Sequence, residues 1–409
     1  MTETAASSAV ETRQGTAGEV FLVALQLGLT SFGGPIAHLG YFERTYVRER
    51  RWLTPDEYGG LVALCQMVPG PASSQVGISV GIMRAGLPGA LAAWLGFSGP
   101  SALAMIAFGY GVGWFGDLSH AAWLHGLKIV AVAVVANALW GMAKNLCPDK
   151  ERATIAVAAA IAAFALPGAV GQLGAIIGGG LIGWWILKGA DIGSGSAALT
   201  VSIPRAWSIP AAILFAVLLV GLPVLKTAVP SQALAEIDSF YRSGALVFGG
   251  GHVVLPLLQA EVVPPGWVSN DTFLAGYGAA QAVPGPLFTF AAYLGTVMRP
   301  APDGWQGGLL CLAAIYLPSF LLLIAALPHW ERLRRMPAVQ TTLRGVNAAV
   351  VGVLLAALYN PVWTSAILGP RDFAIGIVAF LLLAVWALPP WLVVILGAAG
   401  TAALAAIIG

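Results

Sequence analysis

The chain has 409 residues; 58% are hydrophobic, only 9% are charged, and the formal net charge is +2. Soluble proteins carry about 25% charged residues. Twenty basic and 18 acidic side chains are too few to coat a globule of this size, which excludes a soluble two-domain enzyme, a disordered chain and a nucleic-acid binder. A mean hydropathy of +0.84 and apolar runs of about 20 residues point to an all-α polytopic membrane protein, with room for about 13 spans.

Residues 1–17 carry Glu3 and Glu11 and no basic stretch, so they read as a disordered N-terminal tail rather than a signal peptide. Hydropathy then predicts six spans, over 18–41, 57–84, 87–113, 123–145, 153–168 and 169–188. A Gly/Ser-rich stretch from Ala190 to Ser202 opens a linker, 189–236, that holds one further span at 208–226. Six more spans are expected at 238–260, 271–298, 305–328, 341–360, 371–388 and 390–408. The domains are therefore a first transmembrane repeat over 18–188 and a second over 237–409.

The repeat itself is visible in the residues. Gln66-Met-Val-Pro69-Gly70-Pro71 returns as Gln281-Ala-Val-Pro284-Gly285-Pro286, 215 positions on. The same offset pairs Trp52 with Trp267, Thr54 with Ser269 and Asp56 with Asp271. With one residue of slippage Phe32-Gly33-Gly34 pairs with Phe248-Gly249-Gly250. Small insertions pair Pro100-Ser101 with Pro318-Ser319 and Gly126 with Gly345. Six spans followed by an odd linker span would turn the second half over, the inverted-repeat architecture of secondary transporters. The basic loops 144–153 and 329–344 and the linker ends (Lys188, Arg205) then share the cytoplasmic side. The loop with Arg44, Arg48, Arg50 and Arg51 falls outside. Re-entrant Gly33-Gly34-Pro35 and Pro69-Gly70-Pro71 segments would resolve that conflict by changing the parity locally.

Proline inside a helix removes a backbone hydrogen bond, and non-helical backbone at membrane depth is tolerated only inside protein or beside a cavity. Each P-G-P is therefore expected to split its segment into half-helices, whose free N–H groups suit an anion. Paired breaks in two repeats point to a transport site; a plain kink is the alternative. Gly33, Gly34 and Pro35, with Gly249 and Gly250 opposite, permit unwinding and close backbone approach, or close helix packing. His38 and His252 follow the glycines and are candidates for oxyanion contact or proton relay, against a plain core role. Gln66 and Gln281 could bind an oxygen ligand or cap freed backbone. Candidates for a cavity mouth or for coupling are Arg44, Arg84, Glu43, Asp56 and Asp271; Asp56 and Asp271 equally suit a helix first turn. Cys65, Cys147 and Cys311 are widely spaced, as buried hydrophobes rather than metal ligands or disulfides. No Walker A or HExxH motif is present, so neither cofactor nor metal is expected.

Ser31-Phe-Gly-Gly-Pro35, Trp52-Leu-Thr-Pro-Asp-Glu57 and Gln66-Met-Val-Pro-Gly-Pro71, with their second copies Phe248–His252, Trp267–Asp271 and Gln281–Pro286, resemble the chromate transporter family in its long, two-domain form. The resemblance covers nearly the whole chain; Gly251 departs from it by standing where the first copy has Pro35. It implies export of chromate across a bacterial-type inner membrane, driven by the proton motive force, and chromate resistance. Sulfate, a dianion of the same shape, is the alternative substrate. The partners implied are the oxyanion, protons, lipid and, as a further option, a second copy in a homodimer. A membrane enzyme acting on lipid-linked phosphate would have only Asp56, Glu57 and the Arg44–Arg51 cluster to work with; a passive anion channel is the remaining alternative.

Overall fold

A computed structural model of the chain describes residues 15–114, 122–166, 168–187, 203–248, 251–333 and 336–408. Residues 1–14 of the expected tail, Lys188, the whole Gly/Ser-rich stretch from Ala190 to Ser202, and Gly249 and Gly250 lie outside them. The fold is all-helical. Among the described residues six helices are long and apolar enough to cross a membrane, where hydropathy led to thirteen spans. Much of the difference has a physical cause: four of the expected spans, 18–41, 57–84, 238–260 and 271–298, turn back inside the protein, while 153–168 and 371–388 form single helices of 16 and 15 residues.

The first half shows this. Helix α1 (Ala17–Thr30) starts at a Thr16 cap whose side chain accepts from Glu19 N. It stops where Gly33 and Gly34 take φ values of +103° and +81°, a region open to glycine. Helix α2 (Gly34–Phe42) then starts, with Pro35 in its first turn, a place where the missing N–H costs nothing. Helix α3 (Pro55–Met67) starts at a Thr54–Glu57 capping box and stops before Pro69. Helix α4 (Ala72–Trp114) is itself broken at Ala85 and Gly86 into 72–84 and 87–114.

The ends of these pieces meet. The Arg84 guanidinium lies 4.7 Å from the Trp52 ring, just before α3, and bonds Glu19 in the first turn of α1 at 3.0 Å. Its carbonyl accepts from Gly15 N. Tyr46, reached from the end of α2, stacks on Trp52 with ring centroids 5.5 Å apart. So 17–42 and 55–84 are two helical hairpins opening at one end of the molecule. With 14 residues, α1 is about 21 Å long, short of a hydrocarbon core of about 30 Å.

After α5 (Ala122–Leu146), α6 (Lys150–Ala165), α7 (Ala169–Ile186) and the linker helix α8 (Ser208–Ala228), the plan recurs. Helices α9 (Gln232–Ala245) and α10 (Val254–Val262) flank one break, and α11 (Asn270–Ala280) and α12 (Phe290–Val297) flank the other. Arg299 N donates to Trp267 O at 3.0 Å and closes the second hairpin pair. Helix α13 (Gly304–Ala326) follows, then α14 (Pro337–Ala357), α15 (Pro370–Ala384) and α16 (Pro390–Ile408).

The second part of α4 and its counterpart α13 run antiparallel. Tyr110 near the end of one accepts from Trp305 N at the start of the other at 2.9 Å, and Trp94 packs edge-on against Tyr316 and Phe320. The two hairpin pairs therefore enter from opposite ends. Glycines seal matching contacts in both halves: a Cβ on Gly28 would meet Phe97 O at 2.6 Å, and one on Gly244 would strike Ile315 O. The paired Gly126 and Gly345 are likewise crossing points, against Gly397 and Gly179.

Candidate functional site

The four breaks converge. Gly285, held at φ +104°, donates its N–H to Ser31 O at 2.9 Å. Gly70, at φ +133°, donates to Val247 O at 2.7 Å. Ser31 and Val247 are the residues just before the two F-G-G motifs, so the bonds are one contact made twice, each joining the P-G-P of one half to the glycine break of the other. The Pro-Ser motifs complete the arrangement. A Cβ on Gly285 would stand 2.8 Å from Ser101 Oγ, and one on Gly70 would stand 2.5 Å from Ser319 Oγ. Each glycine is thus required twice, by its backbone angle and by the serine above it. Pro69, Pro71, Pro284 and Pro286 flank the two glycines and deny the chain a continuous helix.

A cavity of about 20 Å³ lies beside Gly285, bounded by Gly33, Gly34, His252, Gln281 and Pro390. It has room for about one water and must widen to admit a tetrahedral oxyanion. Gln281 Nε2 is buried there with no partner. The Tyr277 hydroxyl holds His252 Nδ1 at 2.8 Å, and His252 Nε2 lies 3.8 Å from where a Cβ on Gly34 would be. No charged side chain is among the lining residues. The site offers an amide, an imidazole and glycine backbone.

Behind it lies a second polar layer. His38 is buried, with Nδ1 3.3 Å from Ser73 Oγ and its ring edge-on to Phe97. Gln75 Nε2 donates to Pro69 O at 2.7 Å and reaches Ser319 Oγ at 3.4 Å. Tyr316 OH lies within 3.4 Å of Ser74 and Ser98. The orphan atoms His38 Nε2, Gln75 Oε1 and Ser31 Oγ are buried here, at a break where an incoming ligand or water would satisfy them.

The remaining candidates lie elsewhere. Arg44 pairs with Glu49 and Glu43 with Arg48, each at 2.8 Å, on an exposed turn. Arg84 ties hairpin ends together, as described. Asp56 is exposed in the first turn of α3. Asp271, its counterpart, bonds the buried Lys128 of α5 at 3.0 Å.

That pair marks an asymmetry between the halves. Helix α11 lies against α5: besides the ion pair, a Cβ on Gly278 would meet Leu127 O at 2.6 Å. The positions of α3 that match Asp271, Leu274, Gly278 and Gln281 are Asp56, Gly59, Ala63 and Gln66, and all four are exposed. Gln281 is half-buried in the cavity while Gln66 faces outward. On α14 the counterpart of Lys128 is Asn347, whose Oδ1 is buried with no partner.

Sequence reasoning did not single out Gln75, Tyr277 or Lys128, each present in one half only. It used Ser101 and Ser319 to set the repeat register but not as site residues, although a serine after a mid-helix proline in both halves was signal enough.

The family model described as chromate transporter matches residues 18–184 and 234–402. The chain is 28% identical to a probable chromate transport protein of Synechococcus elongatus, over 92% of this chain and 93% of that one. It is also 28% identical to the chromate transport protein of Pseudomonas aeruginosa, over 82% and 79%. An uncharacterized transporter of Methanocaldococcus jannaschii is 27% identical over 82% of each. No solved structure matches.

Proposed function

The chain belongs to the chromate transporter family, and we propose that it is a secondary transporter exporting chromate across the inner membrane, driven by the proton motive force. The observation that carries this reading is the reciprocal contact of Gly285 with Ser31 and of Gly70 with Val247. Two hairpin pairs that enter from opposite ends and touch at their tips form an inverted repeat around one central site, the plan on which alternating access operates. Chromate is a tetrahedral dianion, and half-helix ends with free N–H groups favour such a charge. Gln281, His252 and the backbone at Gly33 and Gly34 are the first contacts; Gly70 and Gly285, whose N–H groups hold Val247 and Ser31, shape the junction, and Gln66 takes the part of Gln281 when the halves exchange positions. Pro35 starts the half-helix that leads away from the site.

The asymmetry supplies the motion. With α11 docked on α5 and the matching face of α3 free, the halves stand in two different positions of one cycle. Exchanging them undocks Asp271 from Lys128 and seats the Asp56–Gln66 stripe on α14 near Asn347, which moves the opening from one side of the site to the other. Sulfate shares the charge and shape of chromate, so it is the substrate a dipole-lined site would discriminate least.

Radiolabelled chromate uptake into everted membrane vesicles energised with NADH tests the reading. Protein-dependent accumulation that collapses with an uncoupler is expected, with competition by excess sulfate. Vesicles with the chain that take up no more chromate or sulfate than vesicles without it would overturn it.

A further inference from the structure

Helix α9 carries an unusual load of charge for a segment inside an apolar protein. Two of its ionic residues belong to a closed network. Asp238 is fully buried and receives Lys226 of α8 and two donors of Arg242 at 2.8 Å. Arg242 also holds Glu261 of α10 through two bonds of 2.7 and 2.8 Å, and Ser239 donates to Glu261 at 2.8 Å. Two cations face two carboxylates, so the network is neutral and its charges are paired, the condition under which buried ions persist.

Glu236, two residues before Asp238, stands outside it. Its side chain is fully buried. Its contacts are Gln232 Nε2 at 3.1 Å and Cys311 Sγ of α13 at 3.8 Å; among the described residues no cation pairs with it. An amide and a thiol are a thin shell for an ionised carboxylate, which offers about four acceptor sites, and burying an unpaired charge is costly enough that such a group neutralises itself. The groups facing it from the packed elements do not help. Cys311 and the start of α13, with Asp303, bring no positive charge; Lys226 on α8 is committed to Asp238, and Glu261 on α10 is itself acidic. The matching position in the first half is Val20, so nothing in the repeat plan requires a carboxyl here.

We propose that Glu236 is a proton-binding site of the transporter, loaded when the carboxylate takes one proton and emptied when the carboxylic acid gives it back on the other side. Its place suits coupling. Helix α9 runs from Glu236 to the break at Val247, whose carbonyl accepts from Gly70. Cys311 lies on α13 eight residues, about 12 Å, before Ser319, which faces the same glycine. A change of charge at Glu236 thus acts on two elements that both end at Gly70. A buried carboxyl with no cation beside it, in a protein this apolar, reads as a functional group.

The inference rests on the transport reading for its role in coupling, but proton binding is testable apart from it. In the purified full chain, the carboxylic-acid carbonyl band seen by infrared spectroscopy should titrate with pH, and Glu236→Gln should remove one such band. In lipid vesicles, Glu236→Gln should lose chromate accumulation driven by a pH gradient, down to the level of protein-free vesicles, while keeping chromate–chromate exchange at equal pH. Glu236→Asp should retain accumulation with a displaced pH profile. A band unchanged in Glu236→Gln, accumulation equal to wild type, or loss of exchange together with accumulation in a folded variant would each overturn the proposal. If the wild type moved neither chromate nor sulfate, the transport reading would fall, and the infrared band would still decide the proton site.

Discussion

Gly285 donates its backbone N–H to the carbonyl of Ser31 at 2.9 Å, across the boundary between two halves that share this contact in duplicate. Gly70 and Val247 repeat it at 2.7 Å. A bond that recurs between non-adjacent segments of both repeats fixes where the breaks meet, and the proposed site lies at that junction rather than inside either half.

Tyr277 fixes the His252 ring through a 2.8 Å hydrogen bond. Tyr277→Phe keeps the ring's bulk and removes the hydroxyl. The expected loss is about 0.5–1.5 kcal/mol of ligand interaction, read as a higher KM for chromate with little change in the amount of folded protein. An unchanged KM would mean that His252 needs no such support.

Lys128 is buried and its partner Asp271 is half exposed. Removing the acid strands a buried cation, while removing the lysine leaves an acid that water can reach. Asp271→Asn should therefore destabilise more than Lys128→Met, by about 1–3 kcal/mol, less than for a fully buried pair. Thermal unfolding of the purified chain checks the order, and the reverse order would contradict the docking role given to the pair.

The free stripe on α3 should find α14 in the opposite state. With Cys65, Cys147 and Cys311 replaced, Ala63→Cys with Asn347→Cys should cross-link through a short bifunctional reagent, and more so when Asp271→Asn weakens the α11–α5 contact. No cross-link under any condition, with the protein folded, would contradict the exchange of docked faces.

Glycines divide into those that seal a crossing and those that do not. A Cβ on Gly345 would strike the Gly179 carbonyl, whereas nothing lies within 4 Å of one on Gly141. Gly345→Ala should destabilise by about 1–3 kcal/mol, and Gly141→Ala should be neutral or stabilising by about 0.5–1 kcal/mol. Melting temperatures of the two variants provide the comparison.

Much of this was legible in the sequence because duplication exposes it. The P-G-P and F-G-G motifs, found in register, are the segments that meet, and the break between 84 and 87 was visible as Ala85-Gly86 between two apolar runs. Direction was legible only in part. Hydropathy measures how long an apolar stretch is and not whether it returns, so 18–41 and 57–84 read as spans, with re-entry raised only by the misplaced Arg44–Arg51 loop; what shows that they turn back is Arg84 against Trp52 and Glu19, contacts between residues 32 and 65 positions apart. Lys128 was one charge in an apolar helix, and its meaning depends on Asp271, 143 positions away. Glu236 was masked by the polar residues around it, because pairing, not composition, separates it from Asp238.

The most direct test of the central claim is chromate flux through Gly70→Leu and Gly285→Leu, with membrane insertion verified. Both glycines hold positive φ and face a serine of the other half, so a leucine side chain would fill the junction. The account predicts that each variant reaches the membrane and transports no chromate. Wild-type flux through both would contradict a site at the meeting of the breaks.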